Sequence, residues 1–272
     1  MSAAAEAQSA VASLAAASLE VRGLSKAFGG VQAVKDVSFE VAEGELLALI
    51  GPNGAGKSTC FNMLNGQIRP DRGSVKLAGE ELVGRTPAQI WRRGVGRTFQ
   101  ITATFPSMTV AENVAMVLMS EKRELFSFAR SAVNRHRDRA VELLDMVGMA
   151  AQADRPCGVL AYGDLKRVEL AVALGNAPRV LLMDEPTAGM APRERVALMG
   201  LAARLAHEMG VAVLFTEHDM DIVFSHADRI IVLSRGALIA EGNAAEIRSD
   251  PLVLKTYLGE GQVYGQDRGR KD

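Results

Sequence analysis

The feature that most constrains this chain is a glycine-rich octapeptide that directly follows a run of apolar residues. Residues 51–58 read Gly-Pro-Asn-Gly-Ala-Gly-Lys-Ser, which fits the pattern G-x-x-x-x-G-K-[ST], and residues 46–50 before them read Leu-Leu-Ala-Leu-Ile. This order predicts a buried strand, a tight loop and a helix that begins at Lys57. The sequence therefore predicts an α/β core built around the loop.

Each residue type in the octapeptide suits the binding of phosphate. Glycines let successive backbone N–H groups turn toward one anion, and the positive end of the following helix adds to the attraction. Lys57 would neutralise phosphate oxygens, the Ser58 hydroxyl would bind Mg²⁺, and Thr59 would add a hydrogen bond. A glycine-rich turn without a ligand is the alternative, and the strand, lysine and serine together disfavour it. The predicted nucleotide contacts are Gly51, Pro52, Asn53, Gly54, Ala55, Gly56, Lys57, Ser58 and Thr59.

A pair of acidic residues follows a second apolar run. Residues 180–183 read Val-Leu-Leu-Met, and Asp184 and Glu185 come next. Because adjacent side chains at a strand end point in different directions, Asp184 can hold the water shell of Mg²⁺ while Glu185 polarises an attacking water. An isolated Asp-Glu pair is typical of a solvated strand end, but beside a phosphate loop it indicates nucleotide hydrolysis.

Apolar runs along the chain predict an α/β fold with a wound, mostly parallel sheet. Buried runs in the second half are each followed by polar residues and a helical pattern, and a hairpin with its turn at 234–236 comes after them. A predominantly helical stretch at about 88–174, including a helix at 131–147, is predicted as a subdomain inserted in the sheet. The expected strands are 19–22, 37–41, 46–50, 180–183, 211–215, 229–233 and 237–240.

Composition and charge argue against several classes of function. The 272 residues carry 31 basic and 32 acidic side chains, so no basic surface for binding nucleic acid is expected. The two cysteines, Cys60 and Cys157, lack neighbouring metal ligands, which argues against a disulfide framework or a zinc site and favours reduced, cytosolic thiols. No window approaches the roughly 18 apolar residues of a membrane span.

Both ends of the chain are predicted to lie outside the folded domain. Residues 1–18 are rich in Ala and Ser and lack the basic start of a secretory signal, so we expect a flexible extension there. Residues 261–272 are expected to form a polar tail. The folded domain is therefore predicted to span residues 19–260.

Four short segments match, in order and spacing, the motifs of one known family: Ala-Phe-Gly-Gly at 27–30, Arg-Thr-Phe-Gln at 97–100, Leu-Ala-Tyr-Gly-Asp at 160–164 and Thr-Glu-His-Asp at 216–219. With the phosphate loop and the acidic pair, they make the chain resemble the ATP-binding cassette (ABC) family. The resemblance implies a P-loop NTPase core with an N-terminal antiparallel β part and an inserted helical subdomain. It also implies that Phe28 stacks on adenine, Gln100 meets Mg²⁺ and the lytic water, and His218 senses the terminal phosphate. Without the resemblance, a phenylalanine near a strand end would be expected in the core.

The third of these segments takes the place of the family's signature motif at the start of a helix. The resemblance implies that Ala161, Tyr162, Gly163 and Asp164 contact ATP held by an opposing cassette, where the helix N-terminus favours phosphate. Relatives often carry Ser in place of Ala161, Gly in place of Tyr162 and Gln in place of Asp164. Ala161 cannot donate a hydroxyl hydrogen bond, so weaker contacts with the opposing ATP are expected. Ala191 replaces an acidic or amide residue, which puts communication between the two sites in doubt.

Within the family, the chain is most similar to the ATP-binding proteins of branched-chain amino acid importers. The similarity implies ATP and Mg²⁺ as cofactors, a second cassette subunit, different or identical, and two membrane-spanning permease subunits. It also implies a periplasmic or extracellular substrate-binding protein and a location at the cytoplasmic face of the cell membrane. Importers of urea, other amino acids or small organic acids are alternatives, because a peripheral subunit does not touch the transported molecule. The segments that carry the similarity are 96–100, 108–114, 184–190, 217–220, 241–242, 246–248 and 257–259.

Two other classes of protein remain as alternatives. A non-transport cassette protein acting on DNA or ribosomes would be expected to carry two cassettes or long heptad-patterned arms, and the sequence has neither. A regulatory subunit that only binds nucleotide would be expected to lack the catalytic groups. Lys57, Asp184, Glu185 and His218 are all present.

The segment that follows Gln100 is a candidate docking surface. Within residues 101–114 we expect Phe105, Met108 and Val110 to be exposed and to line a groove for a short helix of a membrane subunit. A local hydrophobic core is the alternative.

Overall fold

The computed structural model describes residues 17–98, 104–121 and 135–258, and within them the chain forms two β-sheets with helices packed around the larger one. The strands are β1 (Ala17–Phe28), β2 (Val31–Ala42), β3 (Leu46–Ile50), β4 (Arg72–Leu77), β5 (Glu80–Glu81), β6 (Val95–Thr98), β7 (Val180–Asp184), β8 (Ala212–Thr216), β9 (Arg229–Ser234) and β10 (Ala237–Gly242). The helices are α1 (Lys57–Leu64), α2 (Pro87–Trp91), α3 (Val110–Glu121), α4 (Arg137–Met146), α5 (Tyr162–Leu174), α6 (Pro192–Met209), α7 (Met220–His226), α8 (Ala244–Ser249) and α9 (Pro251–Val253).

The larger sheet has the strand order β10-β9-β3-β8-β7-β6. Its strands run parallel except for the antiparallel hairpin of β9 and β10. The smaller sheet is antiparallel and has the order β2-β1-β4-β5. The predicted α/β fold with a mostly parallel sheet and an N-terminal antiparallel part is confirmed.

Strand β3 separates two hydrophobic cores. Its residues alternate, so that Leu46, Ala48 and Ile50 pack with helices α3 to α6 on one face of the sheet. Leu47 and Leu49 pack on the other face, with α1 and the smaller sheet. Because β3 is buried on both faces, its five residues form a continuous apolar run. Such a run is recognisable in the sequence, and the predicted strand at 46–50 is confirmed.

The structure differs from the sequence expectation in the first strand and in the helical stretch. Residues 17 and 18 belong to β1 rather than to an extension, and β1 continues to Phe28 although a strand was expected only at 19–22. Register shifts between Val21 and Leu24 interrupt the alternation that would have revealed the rest of the strand. The extension at 1–16 and the tail at 261–272 lie outside the described residues.

The stretch at 88–174 also contains a strand of the larger sheet. Strand β6 pairs in parallel with β7, and the helices described in the part that follows it are α3, α4 and α5. Strand β6 has only four residues, and two of them are Gly96 and Arg97. Its sequence therefore lacks the apolar alternation that would predict a strand. The helix expected at 131–147 is observed as α4, and residues 122–134 lie outside the described part of the chain.

The hairpin at the end of the fold agrees with the prediction. Strands β9 and β10 are joined at Arg235 and Gly236, and Arg229 fixes the start of the hairpin. Its Nε donates to Glu45 Oε1 at 2.7 Å, and its Nη1 is paired with Glu241. These contacts attach the hairpin to the turn that precedes β3.

Both cysteines are buried and neither forms a disulfide. Burial raises the pKa of Cys60 to about 12, so its thiol carries no charge at neutral pH. Among the helices of the described ranges, none combines the length and the apolar character needed to cross a bilayer.

Candidate functional site

The loop between β3 and α1 is packed against the backbone of its neighbours so closely that two of its positions accept only glycine. A Cβ atom at Gly51 would lie 2.2 Å from the carbonyl oxygen of Leu233, and one at Gly56 would lie 2.4 Å from that of Ala33. Gly56 also has φ of 106°, a conformation that L side chains rarely adopt. The sequence pattern G-x-x-x-x-G therefore reflects a loop held tightly to β9 and to the start of β2.

Lys57 is the first residue of α1 and turns its side chain back over the loop. Its Nζ donates to the carbonyl oxygens of Gly51 at 2.7 Å and Pro52 at 3.3 Å. Burial lowers the pKa of Lys57, and the negative charges of Glu185 and Asp184 act in the opposite direction. The loop thus holds the positive charge of Lys57 within electrostatic range of both carboxylates.

Asp184 and Glu185 lie at the carboxyl end of β7, and Thr216 at the end of β8 holds both. The Thr216 hydroxyl donates to Asp184 Oδ1 at 2.7 Å, while Glu185 N donates to the Thr216 carbonyl at 3.1 Å. Glu185 has φ of 48°, a left-handed conformation that is uncommon outside glycine. Such a conformation persists where the surroundings enforce it, and the bonds to Thr216 do so here.

His218 completes this group from the loop that follows β8. Its Nε2 lies 2.7 Å from Glu185 Oε1. The adjacent Glu217 is buried and accepts hydrogen bonds from the Thr187 N–H at 2.8 Å, the Thr187 hydroxyl at 2.7 Å and His218 N. Burial raises the pKa of Glu217, and the hydrogen bonds from Thr187 oppose this rise. Glu217 therefore ties together the two loops that carry Glu185 and His218.

The predicted phosphate loop, Glu185 and His218 share one cavity of about 200 Å³. The phosphate loop thus meets Glu185 and His218, which lie more than 120 residues further along the chain, as the ends of neighbouring parallel strands should. The residues that line the cavity are Ala33, Asn53, Gly54, Ala55, Gly56, Lys57, Ser58, Thr59, Glu185 and His218.

Among the predicted residues that the structure describes, Gly51, Pro52, Phe28 and Asp184 do not line this cavity. Phe28, at the end of β1, is 48% exposed, with Lys26 Nζ 5.5 Å from its ring centre. An exposed aromatic face is available for stacking, which the alternative of a core phenylalanine would not provide. Gln100 lies outside the described residues.

The signature residues lie at the start of α5 and do not line the cavity. Ala161 is the residue before the helix and makes no side-chain capping bond. Tyr162 donates its hydroxyl hydrogen to the Ala188 carbonyl at 3.2 Å, and Asp164 lies in the first helical turn. Gly163 is buried against Glu194. Ala161 and Tyr162 are exposed, and their contact with an opposing subunit stays a prediction.

A second cavity, of about 480 Å³, lies where the sheet edge meets the helical part. We call it the α2/α3 groove, and its lining includes Gln67, Trp91, Arg97, Met116, Val117 and Val172. Docking at residues 101–114 stays a prediction, and the exposure expected of its three apolar residues is found only in part. Phe105 is 55% exposed, but Val110 is completely buried because it begins α3 and packs in the core. Met108 is partly exposed.

Sequence reasoning missed the residues that hold the catalytic candidates in place. From the sequence alone, no role is assigned to Thr187, Thr216 or Glu217. Each of them nevertheless lies within a segment that resembles a family motif. A threonine at the end of a buried strand, next to a strand that ends in Asp-Glu, was the available signal for Thr216.

Comparison with known proteins supports the same assignment. The sequence matches a family model described as ABC transporter over residues 34–188 and one described as branched-chain amino acid ATP-binding cassette transporter over residues 237–263. The high-affinity branched-chain amino acid transport ATP-binding protein BraF of Pseudomonas aeruginosa is 42% identical over 252 residues, covering 89% of this chain and 98% of that protein. The protein of the same description, LivG, from Escherichia coli is 41% identical over 249 residues, with the same coverage.

Solved structures agree with the sequence matches. The crystal structure of the ADP conformation of MJ1267, an ATP-binding cassette of an ABC transporter, superimposes with a TM-score of 0.79 and is 31% identical in sequence. The superposition covers 90% of this chain and 99% of the MJ1267 chain. The predicted resemblance is confirmed over the strands and helices that build the cavity: this chain belongs to the ABC transporter family as an ATP-binding cassette.

Proposed function

We propose that this chain is the ATP-hydrolysing subunit of an importer for branched-chain amino acids and acts at the cytoplasmic face of the cell membrane. The observation that carries the proposal is the single cavity formed by the phosphate loop, Glu185 and His218. The relatives named above, which match along almost their whole length, supply the substrate class. Importers for urea, other amino acids or small organic acids would use the same cavity in the same way.

The phosphates of ATP would occupy the cavity beside the N–H groups of the loop. Lys57 would exchange its bonds to the Gly51 and Pro52 carbonyls for bonds to phosphate oxygens, and the carboxylates that now face it would come to face Mg²⁺. The Ser58 hydroxyl and the Asp184 carboxylate fit this cation, because Mg²⁺ prefers hard oxygen ligands and retains part of its water shell. When bound, Mg²⁺ neutralises charge that develops on the phosphate oxygens.

Glu185 is the residue we assign as general base. Its carboxylate lines the cavity, and the enforced backbone conformation fixes where it points. It would accept a proton from the water that attacks the terminal phosphate. His218, in contact with Glu185 Oε1, would orient that carboxylate and turn its Nε2 toward the terminal phosphate when ATP is bound. For Gln100 we propose the role that the family resemblance implies, a contact with Mg²⁺ and the attacking water.

Substitution of Lys57 and of Glu185 should separate binding from chemistry. Lys57→Ala removes the positive charge that faces the phosphates and should weaken ATP binding at least tenfold. Glu185→Gln keeps the shape of the side chain but cannot take a proton, so it should bind ATP normally and lose at least about 100-fold in turnover. Equilibrium binding and single-turnover hydrolysis measure the two effects. Parental turnover in Glu185→Gln would contradict the assignment of the base.

The substrate class can be tested in cells. We expect cells whose only copy of this chain is the Glu185→Gln variant to lose high-affinity uptake of labelled leucine, isoleucine and valine. Uptake of urea should be unchanged in the same cells, since a different importer would serve it. Normal uptake of branched-chain amino acids together with loss of urea uptake would assign the chain to the alternative importer.

An open face of the cavity suggests a second cassette subunit. The side chain of His218, which lines the cavity, is 48% exposed, which is more contact with solvent than a site for phosphoryl transfer normally retains. We propose that the signature of a second subunit, of a different or identical chain, covers this face. This chain would in turn present Ala161, Tyr162, Gly163 and Asp164 to ATP on its partner. Because Ala161 lacks a hydroxyl donor, the partner's ATP would be hydrolysed more slowly.

Two permease subunits and, through them, a substrate-binding protein would complete the importer. We propose that a short helix of a permease subunit docks in the α2/α3 groove, where Trp91, Met116, Val117 and Val172 supply apolar contacts. The groove lies between the sheet edge and the helical part, so an occupant touches both.

A negative charge introduced into the α2/α3 groove should prevent the permease subunits from binding. We expect Met116→Asp to abolish uptake and co-purification with the permease subunits while ATP affinity of the isolated chain stays within about twofold, because the groove is separate from the phosphate cavity. Phe105→Asp should act in the same direction if the docked helix extends over it. Met209→Asp, at an exposed apolar position on α6, is the matched control. Intact assembly of Met116→Asp would refute this docking site, and thermal unfolding identifies a variant that fails to fold.

A further inference from the structure

Arg97 connects the α2/α3 groove with the carboxylate of Asp184. In the ladder of β6 and β7, Arg97 is paired with Leu182, so its side chain points to the same face of the sheet as Leu182 and Asp184. The guanidinium lines the groove and also lies beside Asp184. It therefore occupies the boundary between the surface we assign to a permease subunit and the residue we assign to Mg²⁺.

The two ends of the guanidinium have different partners. Nη1 donates to Asn62 Oδ1 at 3.1 Å and to Gln67 Oε1, another groove residue, at 3.0 Å. Nη2 lies 3.6 Å from Asp184 Oδ2. Because a guanidinium is planar and holds its donors in a fixed fork, a displacement at the Gln67 end also moves Nη2. A lysine ammonium could not span both directions.

The charge of Arg97 acts on the oxygen of Asp184 that Thr216 leaves accessible. Asp184 Oδ1 accepts the Thr216 hydroxyl, and Oδ2 faces Arg97. The side chains of Arg97 and Asp184 are 17% and 16% exposed, so solvent screens the pair only weakly. Burial lowers the pKa of Arg97 and Asp184 acts against this, but a guanidinium remains charged at neutral pH in either case.

We propose that Arg97 is a positioning residue that makes Mg²⁺ binding at Asp184 depend on the occupant of the α2/α3 groove. With the groove empty, the guanidinium competes with the cation for Asp184. A permease helix that engages Gln67 and Arg97 draws the guanidinium toward the groove, and Asp184 becomes available to the water shell of Mg²⁺. The inference rests on the proposed docking site and deepens it, because it states how docking reaches the nucleotide site.

The isolated chain tests the contact between Arg97 and Asp184. ADP binding is measured across a Mg²⁺ titration for the parent, Arg97→Met and Arg97→Lys. Arg97→Met removes the competing charge and should lower the Mg²⁺ midpoint about tenfold, whereas Arg97→Lys keeps a charge and should shift it less. ADP binding without Mg²⁺ should not change. Arg93→Met is the matched control, since Arg93 pairs with Glu80 on the surface and should leave the midpoint unchanged. An unchanged midpoint in folded Arg97→Met would overturn the inference, and Arg97→Gln, which also removes the charge, replaces it if the methionine variant does not fold.

The assembled transporter tests the coupling. In the parent, adding the permease subunits should lower the Mg²⁺ midpoint for ADP binding, while in Arg97→Met the midpoint should already be low and should not move further. An equal shift in the parent and in Arg97→Met, or none in the parent, would overturn the inference. These outcomes differ from a failure of the proposed docking site. If the docking site is wrong, the Met116→Asp variant still assembles with the permease subunits.

Discussion

The contact between the phosphate loop and the backbone of its neighbours is the constraint on which the nucleotide site depends. Gly51 and Gly56 lie so close to the carbonyl oxygens of Leu233 and Ala33 that no side chain fits. This packing fixes the loop at the end of β3 and directs the Lys57 amino group over it. The carboxylates at the end of β7 can then face that charge across one small cavity. Without the close approach, the same residues would form a mobile turn with no defined position for phosphate.

The central sheet and most of the phosphate site could be predicted from the sequence because their signals are local. Strand β3 is buried on both faces, so its apolar run is continuous, and the loop and helix follow it without interruption. The pair Asp184 and Glu185 stands at the end of an equally apolar strand. Because parallel strands bring their carboxyl ends to one edge of the sheet, the sequence alone predicts that the phosphate loop and the acidic pair lie in one site.

The remaining features depend on contacts between distant segments, which the sequence does not display. Strand β6 is short and polar, so only its pairing with β7 identifies it. Val110 looks like one more apolar residue of an exposed segment, yet it begins α3 and is buried. The hydrogen bond from Thr216 to Asp184 and the ion pair between Arg97 and Asp184 both cross between strands. Of these positions, only Thr216 carries a residue type, a threonine at the end of a buried strand, that hints at its partner.

The proposed mechanism requires that the exposed face of the cavity be covered by a second cassette subunit. The dependence of specific ATP turnover on the concentration of the purified chain tests this claim most directly. If two chains complete the site, turnover per molecule should rise with concentration and reach a plateau when dimers predominate, and added Glu185→Gln chain should stimulate the parent at low concentration by supplying signatures. Measurable turnover that stays constant per molecule from dilute to concentrated solution, with no response to the variant, would show that one chain hydrolyses ATP alone and would contradict the proposed mechanism.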